Sequence, residues 1–393
     1  MIDEFNQRDS STNRTVEIRQ CSLGVLDTRD DPAMRFDEAG VCHYYQDYLA
    51  QYRERVTSLE VQQSRLEQLL ADIQKASAGK RYDTLIGLSG GVDSTYIALL
   101  AKRMGLRPLC VHFDNGWNSE MAVQNIENIV GRLGFDLQTY VIDWDEFRDL
   151  QLSYLKASVI DIEVITDHAI FASLYRLARQ HGIKHILSGT NVVTEAVLPP
   201  HWIYNKVDHV NIKAIHAAYG SVPLNTYPFM DLRVKKIYQM LLGIRSVSLL
   251  DLVDYHKTRT KEEITRELGW RDYGGKHYES IWTRFYQGHI LPEKFGVDKR
   301  KAHLTNLIYS GQLTKAEALA ELALPLYDPA QLREDREFVL KKLGLSEIEW
   351  AELMARPARP HTDFATERSV YAAYPWMRPL KPLADLTRSI LRR

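Results

Sequence analysis

The stretch LIGLSGGVDSTYIALL, from Leu85 to Leu100, constrains the fold more than any other part of the 393-residue chain. An apolar run ends in Ser89-Gly90-Gly91-Val92-Asp93-Ser94, and a helical apolar pattern follows at once. A chain that passes from strand to helix through two glycines presents backbone N–H groups at the helix start. The helix dipole adds partial positive charge there, so such a turn suits an anion. The Ser89 and Ser94 hydroxyls can add donors.

The same alternation continues downstream. RPLCVHFD, LQTYVID and KHILSGT read as strands, and SEMAVQNIENIVGRLG, WDEFRDLQLSYLKAS and DHAIFASLYRLARQHG read as helices. This pattern predicts an α/β fold with a doubly wound parallel sheet and right-handed crossovers. Ligands on such sheets bind outside the carboxyl ends of the strands, and SGGVDS, HFDNGW and SGTNVVTE all fall there. Asp114 and Asn115 close the second strand and are expected near a ribose or a base. The alternation sets a central domain at 81–245. Before it, 1–80 reads as a loop-like knuckle and one packing helix, with Leu66, Leu69, Leu70 and Ile73 on a stripe; after it, 246–393 reads as a mostly helical region. Thr314 with Glu317, and Ser346 with Glu349, read as capping boxes.

Composition narrows the partners. Hydrophobic residues are 45% and charged ones 26%, as in ordinary soluble domains. A formal net charge of -1 predicts no chain-wide attraction to nucleic acid or anionic membranes. The N-terminus is polar, and no window is long and apolar enough to span a bilayer. Three cysteines, Cys21, Cys42 and Cys110, make no disulfide framework. A cytoplasmic protein without nucleic-acid or membrane partners is expected.

The turn lacks the lysine of a Walker loop, and Gly87, Gly90 and Gly91 do not fit the dinucleotide fingerprint. It resembles the PP-loop, Ser-Gly-Gly-x-Asp-Ser, of the ATP pyrophosphatases. The resemblance implies an adenine nucleotide alpha hydrolase-like fold that binds ATP, releases pyrophosphate and adenylates its substrate. It puts Ser89, Gly90, Gly91, Asp93 and Ser94 at the phosphates, with Asp114 towards the nucleoside. GTNVVTE resembles the Gly-Thr-x-x-x-x-Glu segment of NAD synthetase-type members. That implies Gly189 and Thr190 at phosphate, and Glu195 with Asp93 at Mg²⁺. Lys235 is a further candidate for a phosphate contact, against a solvated helix face.

A longer resemblance, over roughly residues 20 to 330, is to the N-acetyl sugar amidotransferases of bacterial surface-polysaccharide and nonulosonic acid pathways. It is carried by CSLGVLDTRDDPAMRFDEAGVCHYY, TDHAIF, GWRDYGGKHYESIWTRFYQGHILPEKFG and DKRKAHLTNLIYSGQLT. It implies conversion of an acetamido group on a sugar, usually nucleotide-linked, to an acetamidino group in lipopolysaccharide O-antigen or related synthesis. Ammonia would come from a separate glutaminase subunit through a cyclase-like one. Consistently, Ile2 follows the initiator and Cys110 reads as a buried hydrophobe, so no glutaminase nucleophile is evident. Lys276, His277, Arg284, Lys299, Arg300 and His303 are candidates for a sugar-nucleotide pyrophosphate or a uronate carboxylate. Glu279 is a candidate to accept from a sugar hydroxyl or to take a proton from ammonium. The family opening usually offers two Cys-x-x-Cys pairs that could hold zinc. Here Gly24 and Tyr45 replace the second members, leaving Cys21, Cys42 and His43, short of the four ligands of a structural zinc site, so none is expected. The competing readings are a PP-loop tRNA sulfur transferase and a non-catalytic nucleotide-binding partner.

Overall fold

Five strands, β1 (Thr84–Gly87), β2 (Pro108–Asp114), β3 (Asp136–Val141), β4 (His185–Ser188) and β5 (Arg245–Ser248), make one sheet in a computed structural model that describes residues 18–275 and 278–367. Their order is β3-β2-β1-β4-β5, and every pair is parallel. Successive side chains on a strand face opposite ways, so a sheet covered on both faces needs apolar residues at consecutive positions. Leu85, Leu109 and Ile186 pair in register and enter one core cluster. Their neighbours Ile86, Cys110 and Leu187 pair in register and enter the other. Consecutive apolar residues at these strand centres are therefore what doubles the winding.

Two of the crossover helices begin where the sequence supplies a side-chain cap. Ser119 accepts from Ala122 N–H to start Glu120–Leu133, which Gly134 ends in the left-handed region at φ +67°. Asp143 accepts from Glu146 N–H to start Trp144–Ala157. Both expected capping boxes form, at Lys315–Ala323 and Glu347–Ala355.

Two elements differ from the sequence reading. The single N-terminal helix is two, His43–Arg55 and Leu59–Ala76, the second capped by Ser58. Its stripe does pack, with Ile73 buried and Leu66 and Leu69 against the same core. β5 was not read as a strand: RSVS is four residues long, carries one apolar residue and is half exposed at the sheet edge. It crosses the boundary placed at 245, so the sheet extends past that point. Among the described residues no helix is long and apolar enough to cross a membrane.

Candidate functional site

The strand order reverses direction between β1 and β4, so their carboxyl ends form the crevice where ligands of such sheets bind. The SGGVDS turn leaves β1 there. Gly90 has φ +80°, and a Cβ on it would lie 2.9 Å from the Ala122 carbonyl oxygen, so only glycine fits. Gly91 caps the helix Val92–Arg103. The loop is tied to itself: Gly91 N–H donates to Ser89 Oγ (3.2 Å), and the Ser94 and Thr95 hydroxyls donate to Gly91 O (3.2 and 2.7 Å). Trp270, fully buried, donates its indole N–H to Gly90 O (2.8 Å) and clamps the turn from outside. Gly189, after β4, lies so close that a Cβ there would be 3.2 Å from Asp93 Cβ.

The turn opens into a cavity of about 990 Å³. Ser89, Gly91, Asp93, Ser94 and Glu195 line it on one side, and Glu279, Lys299, Arg300 and His303 also line it. Glu279 reaches the loop itself: a Cβ on Gly91 would be 3.3 Å from its Oε1. That placement follows from two backbone bonds, Ser119 N–H to Glu279 O (2.9 Å) and Ile281 N–H to Trp117 O (2.8 Å), which stitch the segment to the end of β2. Asp93 accepts a short hydrogen bond from the Tyr255 hydroxyl. Burial, with Asp93 and Glu195 close by, pushes Tyr255 far above its ordinary pKa, so it stays a donor. The two carboxylates beside Tyr255, Asp93 and Glu195, line one cavity. With phosphate oxygens they fit Mg²⁺, which binds through one or two carboxylates plus substrate. Among the described residues no three metal-ligating side chains cluster.

The far wall is charged. Lys206 pairs with Asp161 (2.7 Å) and Asp167 (3.0 Å). Burial lowers the pKa of Lys299, against the opposing pull of Asp161 and Glu163. Burial and Asp167 raise Glu163 to about 7. Lys257 donates to His303 Nε2 (2.5 Å), and Lys261 pairs with Asp272 (2.6 Å).

Several expected residues stand elsewhere. Lys235 does not line the cavity; its ammonium lies 4.5 Å from the Phe171 ring centroid, and burial lowers its pKa. Arg284 is also outside it, its fork closed on Asp335 (2.6 and 2.8 Å). Arg300 reaches the wall, but its guanidinium holds Asp298 (2.8 Å) and the Leu324 carbonyl (3.0 Å). Asp114 ends β2 as expected, yet it is not a lining residue and accepts from Gly116 N–H (2.8 Å) and Asn118 (3.0 Å). The Thr190 hydroxyl is exposed and bonds Ser188 and Ser248 (both 3.0 Å). Lys276 and His277 lie outside the described residues. Tyr255, Lys257, Trp270, Tyr273 and Gln287 were not anticipated. The first two follow β5, so reading that strand would have pointed at them by the same strand-end rule.

The knuckle closes around Tyr309. Its hydroxyl lies 3.4 Å from Cys21 Sγ and 3.3 Å from Cys42 Sγ, both fully buried. A Cβ on Gly24 would be 3.0 Å from that hydroxyl and from Thr305, and the Tyr45 ring packs 5.0 Å from the Tyr309 ring. The two positions that are not cysteine thus form the socket of this tyrosine.

Residues 65–190 match the asparagine synthase family, and residues 279–378 match the family described as LPS biosynthesis protein WbpG-like, C-terminal domain. Two separate stretches are thus similar to known families, the glycine-loop region to asparagine synthase and the C-terminal region to the WbpG-like domain. An uncharacterized protein of Methanocaldococcus jannaschii is 22% identical over 296 residues, 73% of this chain and 87% of the relative. A tRNA(Ile)-lysidine synthase of Chlamydia pneumoniae is 36% identical over 75 residues, 19% of this chain and 23% of that protein. Among solved structures, NMN synthetase from Francisella tularensis aligns at 15% identity and TM-score 0.31, over 74% of this chain and 97% of its own. NH3-dependent NAD synthetase from Campylobacter jejuni aligns at 14% identity and TM-score 0.29, over 72% and 97%.

The cavity lies where the two matched regions meet. Ser89, Gly91, Asp93 and Ser94 fall in the stretch that matches the asparagine synthase family, Glu195 lies just beyond it, and Glu279, Lys299 and His303 fall in the WbpG-like match. Tyr255, Trp270 and Tyr273, which brace the loop, come from the stretch between the two matches.

Proposed function

We propose that the chain is an ATP-dependent amidotransferase that turns an acetamido group of an N-acetyl sugar, presented on a nucleotide, into an acetamidino group for a surface glycan. One observation carries this reading: the lysine-free glycine loop shares a single cavity with acidic and basic side chains of a WbpG-like domain. An amide carbon is a poor electrophile. Its oxygen attacks the α-phosphorus of ATP, the bond to the β-phosphate breaks, and pyrophosphate leaves. Ammonia then adds to the imidoyl carbon, AMP departs with the former amide oxygen, and a proton is released.

The chain's residues divide this work. The helix start at Ser89–Ser94 and Lys257 hold the phosphates and stabilise charge gathering on the leaving group. Asp93 and Glu195 would hold Mg²⁺, which neutralises phosphate charge when bound. Glu279, beside Gly91, stands where it can take the proton that the incoming nitrogen gives up. Lys299 and His303 face the acceptor. The likeness to tRNA(Ile)-lysidine synthase favours a nucleic-acid acceptor as the second reading, but a net charge of -1 supplies little attraction for RNA.

Ammonia is supplied from outside this chain, by a glutaminase partner with a cyclase-like conduit. Cys110 sits in β2, fully buried, and burial pushes its thiol up to about 12. Cys21 and Cys42 are buried around Tyr309. None offers a nucleophile that glutamine can reach. The test is the purified chain with ATP, Mg²⁺ and a panel of acetamido sugars, read by mass for exchange of O for NH. Product with ammonium but not with glutamine is expected. Product from glutamine alone contradicts the partner requirement, and no product with ammonium across the panel contradicts the reaction.

A further inference from the structure

The helical run from Ile281 to Phe295 contains a π-turn, Tyr286–Ile290, between the α-helical segments Ile281–Phe285 and Leu291–Phe295. A π-turn inside a helix is frequently found at a functional site. Here it is fixed on both sides of one residue. Tyr286 donates its hydroxyl to Ile160 O (2.5 Å). Gly288 lies under the Tyr327 ring, where a Cβ would be 2.7 Å from Cδ1, and Tyr327 in turn donates to the Asp335 carboxylate that grips Arg284. Between them Gln287 lines the cavity, and its carboxamide makes no hydrogen bond among the described residues. Thr283, one turn earlier, donates to Glu163 (3.2 Å), so the turn stands at the Lys299 wall. Asp167, Lys206 and Lys299 line the same cavity and are of charged types, whereas Gln287 is a neutral acceptor and donor in one group.

We infer that Gln287 recognises the acceptor's acetamido group, its Oε1 accepting from the amide N–H while the amide oxygen stays free for the α-phosphorus. As that oxygen attacks, positive charge gathers on the N–H, and an oxygen already bonded to it stabilises the change. A carboxamide suits the place because it accepts the hydrogen bond without removing the proton. The assignment rests on the amidotransferase reading.

Gln287→Met keeps the length and removes the acceptor; Gln287→Glu keeps an acceptor oxygen. The probes are UDP-N-acetylglucosamine and CMP-N-acetylneuraminic acid, with ATP, Mg²⁺ and ammonium, read as AMP formed. We expect Gln287→Met to lower kcat/KM for the acceptor about tenfold, with KM for ATP and the thermal midpoint unchanged, and Gln287→Glu to recover part of that loss. If the wild-type chain consumes neither these probes nor any other acetamido sugar of the panel, the acetamido-sugar reading falls and this assignment with it. If it consumes one and Gln287→Met leaves the acceptor's kcat/KM unchanged, or raises KM for ATP by the same factor, this assignment alone falls.

Discussion

The Tyr255 hydroxyl donates to the Asp93 carboxylate at the mouth of the glycine loop. Asp93 is in the first turn of its helix, and Gly189 packs close to its Cβ. Removing the donor while keeping the ring takes away one of the interactions that orient that carboxylate. Tyr255→Phe is expected to raise the Mg²⁺ concentration needed for half-maximal AMP formation and to lower kcat about tenfold, the effect of roughly one hydrogen bond to a charged group. Steady-state rates against Mg²⁺ check this. A variant with wild-type Mg²⁺ dependence and kcat removes Tyr255 from the site.

Gly90 is the position where backbone shape and close approach coincide. Alanine there would take a left-handed conformation and meet the Ala122 carbonyl oxygen at 2.9 Å. The conformation alone costs about 1–2 kcal/mol, and the contact adds to it. Gly90→Ala should therefore lower the urea midpoint and abolish ATP binding in calorimetry. An alanine variant as stable as the wild type would mean that the turn is looser than its geometry.

The central domain was legible because its physics is local. Consecutive apolar pairs such as Leu85-Ile86 and Leu109-Cys110, with caps such as Ser119 and Asp143, announce a covered parallel sheet without knowledge of the rest. The glycine turn was legible for the same reason. The Arg284 ion pair was not legible because its partner Asp335 is 51 residues away, and composition cannot show that a basic side chain is already held. The place of Lys235 over Phe171 was not legible because a lysine over an aromatic ring and a lysine at a phosphate share one local sequence. Tyr255 and Trp270 escaped because each reaches the loop across more than 150 positions of chain, 162 and 180 respectively.

The knuckle should be purified without metal. Tyr309 holds its hydroxyl between Cys21 and Cys42. Elemental analysis of protein prepared without added metal should show far less than one zinc per chain, and Tyr309→Phe should cost about 1 kcal/mol in urea unfolding. Stoichiometric zinc would overturn this account and give Cys21, Cys42 and His43 as ligands to test.

Stability should fall on mild acidification. Burial lowers His168 and His361 to about 4. Met230 N–H donates to His168 Nε2 (3.0 Å), so that nitrogen has no room for a proton. Above pH about 6.5 both histidines are neutral in the folded and unfolded chain, and the contribution is complete. As pH drops from about 6.5 towards 4 the unfolded chain takes up protons that the folded one refuses, so folding weakens by up to about 1.4 kcal/mol per unit for each histidine. Urea midpoints from pH 7.5 to 5 should decline only below about 6.5. Glu163, raised to about 7, takes up its proton in the folded chain first and opposes this trend. The profile is therefore read in Glu163→Gln, where a flat line would show that neither ring is held neutral.

The central claim is that the glycine loop makes pyrophosphate the leaving group and an adenylate the intermediate. Its most direct measurement follows the nucleotide products by phosphorus NMR in one reaction of chain, ATP, Mg²⁺, ammonium and an acetamido nucleotide sugar. We predict AMP and pyrophosphate in equal amounts, appearing only with the sugar present and vanishing in Asp93→Ala. Sugar-dependent ADP and inorganic phosphate, with no AMP, would contradict it.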